Sequence, residues 1–503
     1  MGGALEPQAP NPGPAGLASH LERPVGRAHT PADAFTGAAG GTACGDLVRI
    51  SLSLDAADPR GRIVDAGFDA HGCGATVAAG SAAVGLLRGS VLLEAARLGP
   101  DELAGELGGL SPAKRHAAEL ASDALHRALG AAARTRAALT ACPGRTVVAM
   151  SGGVDSAVAA LLLARDGDEV VGVTLELWSD PENDGERSCC SPQAVRGARA
   201  VAHELGMPHL SIDLRREFRA GVVEPWLEAH RQGLTPNPCL RCNGSVRLDA
   251  MLALASRLGA GTLATGHYAR VEQGPSGPLL RMAADRRKDQ SYALAGVSRA
   301  TLARLRLPLA ELAKDEVRAV AADAGLAVAA KPDSQDLCFL AGTRQGRFLE
   351  RHGSRAPGEG PILDAGGRRL GTHGGHHGFT VGQRHGLGLG GAGPHFVLST
   401  DPTTNSVTVG PRGALRAEAF EIEDVTLHRP GALVDAVKVR SRGARMACAV
   451  PGEPPPGRHR RLAVALAEPA ERTAPGQVAC LYADDTIVGY GTVARERRGP
   501  VGA

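Results

Sequence analysis

Thr146-Val147-Val148-Ala149-Met150-Ser151-Gly152-Gly153-Val154-Asp155-Ser156 decides the fold of this chain. A β-branched apolar run, Thr146 to Met150, enters a turn of small residues, and an Ala/Leu-rich helical pattern follows from Ala157 to Arg165. Strand, Gly-rich turn and helix N-terminus together form an anion cradle, because free backbone N–H groups and the helix dipole converge on one point. Gly152 and Gly153 let the backbone approach a phosphate, and Ser151 and Ser156 add hydroxyl donors. No Gly-Lys-Ser/Thr ending follows, so the turn is not the usual mononucleotide P-loop.

Outward from that turn, residues 144–345 alternate strand-like runs (170–177, 209–214, 262–265) with helical ones such as 192–205. The alternation predicts a parallel α/β sheet with helices on both faces. Ahead of it, residues 26–130 read as a compact α+β unit, extended near 47–54 and 63–68 and helical over 76–88, 91–97 and 112–129. Residues 1–25, rich in Pro, Gly and Ala, read as a disordered leader, and the Ala/Arg-rich stretch 131–143 as a linker. Past residue 355 the helical period stops. Short β-rich runs at 378–381, 395–399, 406–409, 436–439, 462–466 and 477–482 predict small β-rich or β-barrel domains, divided as 346–425 and 426–503.

A chain of 503 residues is too long for one core. Its net charge of +3 means that any RNA-binding surface must be a local patch, such as Arg440-Ser441-Arg442 with Arg445, or Arg458-His459-Arg460-Arg461. No apolar run is long enough to span a bilayer, which argues against a membrane partner. The first 25 residues lack a basic start and an apolar core, so the expected compartment is the cytoplasm. The ten cysteines then point to thiol chemistry or metal ligation in a reducing environment.

Two thiol segments stand out. In Thr235-Pro236-Asn237-Pro238-Cys239-Leu240-Arg241-Cys242-Asn243, two prolines stiffen the approach to a Cys-x-x-Cys, a spacing open to zinc, iron–sulfur, redox or purely structural roles. In Asp333-Ser334-Gln335-Asp336-Leu337-Cys338-Phe339, one Cys sits in a polar turn. Cys189-Cys190 lies in a polar loop and reads as exposed, while Cys142, Cys448 and Cys480 read as packing or surface residues.

The turn resembles the pyrophosphate loop of the ATP pyrophosphatases (adenine nucleotide α-hydrolase-like), and with both thiol segments the chain resembles the tRNA-specific 2-thiouridylases of the MnmA family over about 144–495. Further matching stretches are Ala264-Thr265-Gly266-His267-Tyr268, Lys288-Asp289-Gln290-Ser291-Tyr292, Thr380-Val381-Gly382-Gln383-Arg384 with Gly386-Leu387-Gly388, and Pro475-Gly476-Gln477. The resemblance implies ATP with Mg2+, contacted by Ala149, Met150, Ser151, Gly152, Gly153, Val154, Asp155, Ser156, Leu175 and Gly266. It implies adenylation of the C2 oxygen of the tRNA wobble uridine, U34, followed by replacement with sulfur. Cys338 would carry a persulfide and Cys242 would be its partner thiol. Asn237, Pro238 and Cys239 would lie against the base, with His267, Lys288, Asp289, Gln290, Arg440, Ser441 and Gln477 as tRNA contacts. The implied partners are tRNAs, the Lys, Glu and Gln acceptors among them, and a cysteine desulfurase or sulfur carrier.

One departure matters. Many relatives have Asp where this chain has Cys239, an Asp often assigned as general base. The substitution leaves Cys239, Cys242 and Cys338 as three thiols that could hold a [4Fe–4S] cluster, so persulfide relay and cluster-bound sulfide both stay open.

Gly41-Thr42-Ala43-Cys44-Gly45-Asp46 and Ala70-His71-Gly72-Cys73-Gly74 resemble the iron–sulfur scaffolds of the IscU/NifU N-terminal family over about 26–130. Cys44, Asp46, Cys73 and His116 match its assembly site, while Ala117 stands where the third Cys belongs. Sulfur delivery to Cys338, a zinc or labile Fe–S site, and a degenerate docking domain are the readings left. An ammonia-using ligase is disfavoured by the thiol segments, and a pure iron–sulfur carrier by the complete loop.

Overall fold

The computed structural model describes residues 16–40, 45–180, 191–274, 277–333, 337–340, 342–353, 358–390 and 394–496. Residues 1–15 of the expected leader, Cys44, the Cys189-Cys190 pair and residues 334–336 lie outside them. Among the described residues no helix is long and apolar enough to cross a membrane.

The chain opens on a three-stranded antiparallel meander, β1 (Phe35–Gly40), β2 (Leu47–Leu54) and β3 (Ile63–His71), backed by helices Gly74–Leu87 and Arg115–Thr135. The expected leader ends earlier than residue 25. Helix Leu17–Glu22 packs His20 against Ser81 at 2.8 Å, and Gly16 N–H donates to the Glu106 carbonyl. A Pro/Gly-rich composition hid this short amphipathic turn.

Next come β4 (Cys142–Ala149), β5 (Glu169–Glu176), β6 (His209–Asp213), β7 (Ala260–Thr265), the hairpin β8 (Ala269–Gly274) and β9 (Gly277–Met282), and β10 (Leu305–Arg306). Five of these form a parallel sheet in the order β10-β7-β4-β5-β6. One face is covered by helices Val154–Arg165, Pro192–Glu204 and Lys314–Asp323. The other is covered by helix Asp249–Arg257 and, unexpectedly, by Arg115–Thr135 from the N-terminal domain.

The first five residues of the expected linker 131–143 therefore continue helix Arg115–Thr135, and its last two begin β4. Its Ala-rich residues are strong helix formers, and Ala132 and Ala133 are fully buried under the sheet. The helix lies so close to β6 that a Cβ on Gly130 would sit 1.9 Å from the Ser211 carbonyl oxygen. Arg127 adds a bidentate ion pair to buried Glu176 at 2.9 Å on both arms. Arg199 and Arg196 from the opposite domain clasp Asp123. The two domains share one continuous core.

Gly130→Ala is expected to destabilise the fold by about 3 kcal/mol through overpacking. Gly85→Ala, in open space on helix Gly74–Leu87, should be neutral or stabilising. Thermal unfolding midpoints moving in opposite directions check the pair.

A four-stranded sheet follows: β11 (Gly360–Leu363), β12 (Arg369–His373), β13 (Phe396–Asp401) and β14 (Ser406–Gly410), in the order β12-β11-β14-β13. The strand expected at 378–381 does not form; Gly378 ends a 3-10 turn and Phe379 instead packs its ring on His373. Last come β15 (Arg416–Leu427), β16 (Ala436–Lys438), β17 (Met446–Ala449), β18 (Gly457–Glu471), β19 (Val478–Ala483) and β20 (Thr486–Val493). Their order β15-β18-β17-β16-β19-β20, with β15 paired back to β20, closes a six-stranded barrel. The barrel starts at Arg416, inside the expected 346–425 domain, because β15 is a single uninterrupted strand. The hairpin β8–β9 leaves the nucleotide domain to extend this barrel sheet at β20.

Candidate functional site

The Ser151–Ser156 turn stands at the C-terminal edge of the parallel sheet, where such folds take their ligands. Gly152 has a left-handed φ of 70°, and a Cβ there would meet the Ala194 carbonyl at 2.5 Å. Ser156 closes the turn from inside: its hydroxyl donates to the Gly153 carbonyl and accepts the Ser151 N–H. The Ser156 hydroxyl is thus used to shape the loop, and Ser151 is exposed. Gly266 lies directly on the helix start, since a Cβ would fall 2.6 Å from the Asp155 backbone. Ala149, Met150 and Leu175 are buried strand ends beneath the turn, and Val154 begins the helix.

Two cations that no local motif marks, Lys331 and Lys314, lie beside the turn. Lys331 Nζ donates to the Gly152 carbonyl at 2.8 Å. Lys314 Nζ, on a side chain only 8% exposed, bridges Asp155 at 2.6 Å and Asp333 at 2.9 Å. Lys288 and Arg318 also hold Asp333, and the Tyr268 hydroxyl donates to Asp155. Burial pushes the Asp333 carboxyl up, but Lys288 and Lys314 outweigh it and bring it down to about 2. A depressed carboxylate contributes stability above its unfolded value of roughly 4 and loses it as pH falls toward 2. The clasp is therefore intact throughout the neutral range. It joins the nucleotide turn to the segment that leads to Cys338.

Asn237 caps the short turn Pro238–Arg241, its side-chain oxygen accepting the Cys239 N–H at 3.0 Å. Burial raises the Cys239 thiol, with the Arg247 charge opposing. A protonated thiol is no substitute for an aspartate base. Arg247 also bears on His267, which burial lowers to about 3, so this histidine is neutral and brings no charge to RNA. One guanidinium thus lies between the thiol loop and the loop beyond Gly266. Cys242 is buried, Cys338 half-buried, and Phe339 anchors Cys338 among Phe218, Trp226 and Phe348. Cys239, Cys242 and Cys338 carry no disulfide and do not gather tightly enough to share one metal ion.

Three expected RNA contacts have other work. Asp289, 1% exposed, accepts from Ala283 N–H and the Ser291 hydroxyl and faces Lys438. Gln290 accepts the Tyr268 N–H through its side chain. Gln477 donates to the Thr235 carbonyl, so the barrel pins the thiol loop. The Asp289 side chain is turned inward, Gln477 is half-buried, and Gln290 stays exposed. Lys288 is engaged with Asp333, while Arg440 and Ser441 are exposed.

In the N-terminal domain, Asp46, Cys73 and His116 bring ligand atoms within 4.8 Å of one another. Asp46 is held by the Thr76 hydroxyl at 2.6 Å and faces His116 Nε2 at 3.3 Å. The Thr76 bond, and after it His116, lower the Asp46 carboxyl against the effect of burial. Gly72 at φ 141° is required, for a Cβ would strike Asp46 at 2.2 Å. Ala117 is fully buried in the helix, so no side chain replaces the missing thiol there. A carboxylate, a thiol and an imidazole fit a tetrahedral metal with one position open.

Comparison with known proteins gives four domain matches. Residues 19–138 match the NifU-like N terminal domain and 144–342 the tRNA methyl transferase HUP domain. Residues 346–411 match the tRNA methyl transferase PRC-barrel domain and 425–493 the aminomethyltransferase beta-barrel domain. The chain is 41% identical to the bifunctional protein NifU/MnmA of Rubrobacter xylanophilus, over 95% of this chain and 97% of that one. It is 43% identical to the tRNA-specific 2-thiouridylase MnmA of Acidothermus cellulolyticus, over 71% of this chain and 100% of the relative.

Proposed function

The chain belongs to the tRNA-specific 2-thiouridylase family MnmA, in the form that carries a NifU-like N-terminal domain, and on that premise we propose how its thiolation of tRNA proceeds. The acceptor is C2 of the wobble uridine, U34, in the Lys, Glu and Gln tRNAs. Its oxygen attacks the α-phosphorus of ATP and pyrophosphate leaves. The Gly152 and Gly153 N–H groups with Lys314 and Lys331 would face the charge that develops on the phosphates. Mg2+ would be held near Asp155 and supply charge neutralisation there. Carbonyl oxygen is a poor leaving group until AMP is attached to it.

Cys338 then presents a persulfide. Its outer sulfur attacks C2, the C–O bond breaks and AMP departs. The Cys242 thiolate attacks the inner sulfur, forming a Cys242–Cys338 disulfide and freeing the 2-thiouridine. An external dithiol returns both thiols by two-electron reduction. Of the chain's own thiols this relay uses Cys338 and Cys242, with the sulfane sulfur and the reducing dithiol supplied from outside. The raised Cys239 thiol favours a packing role against the base. A cysteine desulfurase or sulfur carrier supplies the sulfane sulfur. In the N-terminal domain, Cys44, Asp46, Cys73 and His116 are the candidate holders of zinc or a labile Fe–S unit, chemistry that would keep thiolates ionised.

The observation that carries this reading is the clasp Asp155–Lys314–Asp333, which ties the nucleotide turn to the Cys338 segment. One AMP and one pyrophosphate released per 2-thiouridine formed, with purified tRNA and a persulfide donor, is the expected stoichiometry. Thiolation without AMP would overturn it.

A further inference from the structure

The N-terminal thiol site and Cys338 face opposite ends of the nucleotide sheet. Helix Arg115–Thr135 runs alongside β6 in the same direction. His126 Nδ1 lies 2.8 Å from the His209 carbonyl, Gly130 abuts Ser211, and Arg134 donates to the Asp213 carbonyl at 2.7 Å. His116, at the start of this helix, is therefore below the N-terminal edge of β6. At about 1.5 Å per residue the helix climbs about 21 Å from His116 to Gly130. The nucleotide turn starts about level with Gly130, because Met150 N–H donates to Val173, which pairs with Leu210, the residue before Ser211. Cys338 is higher still. Phe339 stacks on Phe218, which follows the C-terminal end of β6.

The spacer helix is welded to the sheet by the Arg127–Glu176 and Arg199–Asp123 pairs and by backbone contact at Gly130. Asp46 is tied to Thr76, and Phe339 is 1% exposed. Sulfur exchange between thiols needs bond-forming contact, within about 4 Å. The fusion thus holds the two sites apart instead of concentrating donor near acceptor.

Resting on the thiolation chemistry above, the geometry points to an N-terminal site that exchanges sulfur with a thiol on a separate molecule, never with Cys338 of its own chain. In that step an acceptor thiolate attacks the outer sulfur of a Cys73 persulfide. The new S–S bond forms as the old one breaks, the proton stays on the terminal sulfur, and Cys73 leaves as a thiolate. No oxidant or reductant is consumed. Cys338 is charged from outside, by a persulfide donor or by the N-terminal site of a second copy.

Mixing two full-length variants tests this. Cys338→Ala chains carrying a persulfide at Cys73, separated from desulfurase and cysteine, are combined with Cys73→Ala chains, ATP and tRNA, so that the N-terminal site of one chain is the sulfur source for Cys338 of the other. The expected result is thiolation recovered in the mixture, because no step requires both thiols on one chain. A mixture as inactive as Cys338→Ala alone would overturn the inference. Cys73→Ser is run in parallel, and AMP release with tRNA reports that each Cys73 variant has a folded catalytic domain. If the thiolation reading itself were wrong, the unsubstituted chain would form no 2-thiouridine, a result separable from failure of the mixture alone.

Discussion

Cys338→Ala is expected to lower tRNA thiolation by at least about a thousandfold, because the only atom that replaces the C2 oxygen would have lost its carrier. Adenylation should survive. It draws on the nucleotide turn and its cations, so a burst of about one pyrophosphate per bound tRNA is expected before turnover stops. Cys242→Ala should differ in kind. Attack on C2 proceeds, but nothing resolves the product, and a disulfide-linked chain–tRNA adduct accumulates that thiol reductants release. A gel shift sensitive to reductant, together with radiolabelled pyrophosphate, reads both outcomes. Full product formation by Cys338→Ala would overturn the persulfide route and leave Cys239 and Cys242 to be reconsidered.

The nucleotide turn, the parallel sheet and both thiol segments were legible because each depends on a local pattern: strand, small-residue turn, helix, or Cys spacing. The cluster of Asp46, Cys73 and His116 was legible only through resemblance, since these residues come from three distant parts of the chain. Strand β1 escaped notice because Phe35–Gly40 is Ala- and Gly-rich; its Gly37 lets the helix backbone approach where a Cβ would meet the Ala124 carbonyl at 2.1 Å. The weld between domains escaped for a related reason. An Ala/Arg-rich run looks the same as a solvated connector or as a helix pressed on a sheet. Contacts such as the Arg127–Glu176 pairing and the approach at Gly130 distinguish them.

Lys314 illustrates the harder case. It begins a helix in Ala313-Lys314-Asp315-Glu316, where a lysine beside acids ordinarily reads as a solvated surface position. Its ammonium instead joins Asp155 and Asp333, residues far apart in sequence. Lys314→Ala is expected to slow both AMP release and thiolation by about 100-fold or more, the usual cost of removing one preorganised charge from developing phosphate oxygens. The loss should appear in kcat more than in tRNA affinity, because the ammonium faces the nucleotide turn and not the exposed Arg440 patch. Arginine should not rescue it: a planar fork cannot reproduce a point charge shared by two carboxylates at 2.6 and 2.9 Å. The comparison with Cys338→Ala makes the assignment specific. Loss of Cys338 separates adenylation from sulfur transfer, whereas loss of Lys314 abolishes the first step and so both. If Lys314→Ala kept its pyrophosphate burst while losing thiolation, the clasp would act only by placing the Asp333–Cys338 segment, and the phosphates would be served by Lys331 and the backbone of the turn.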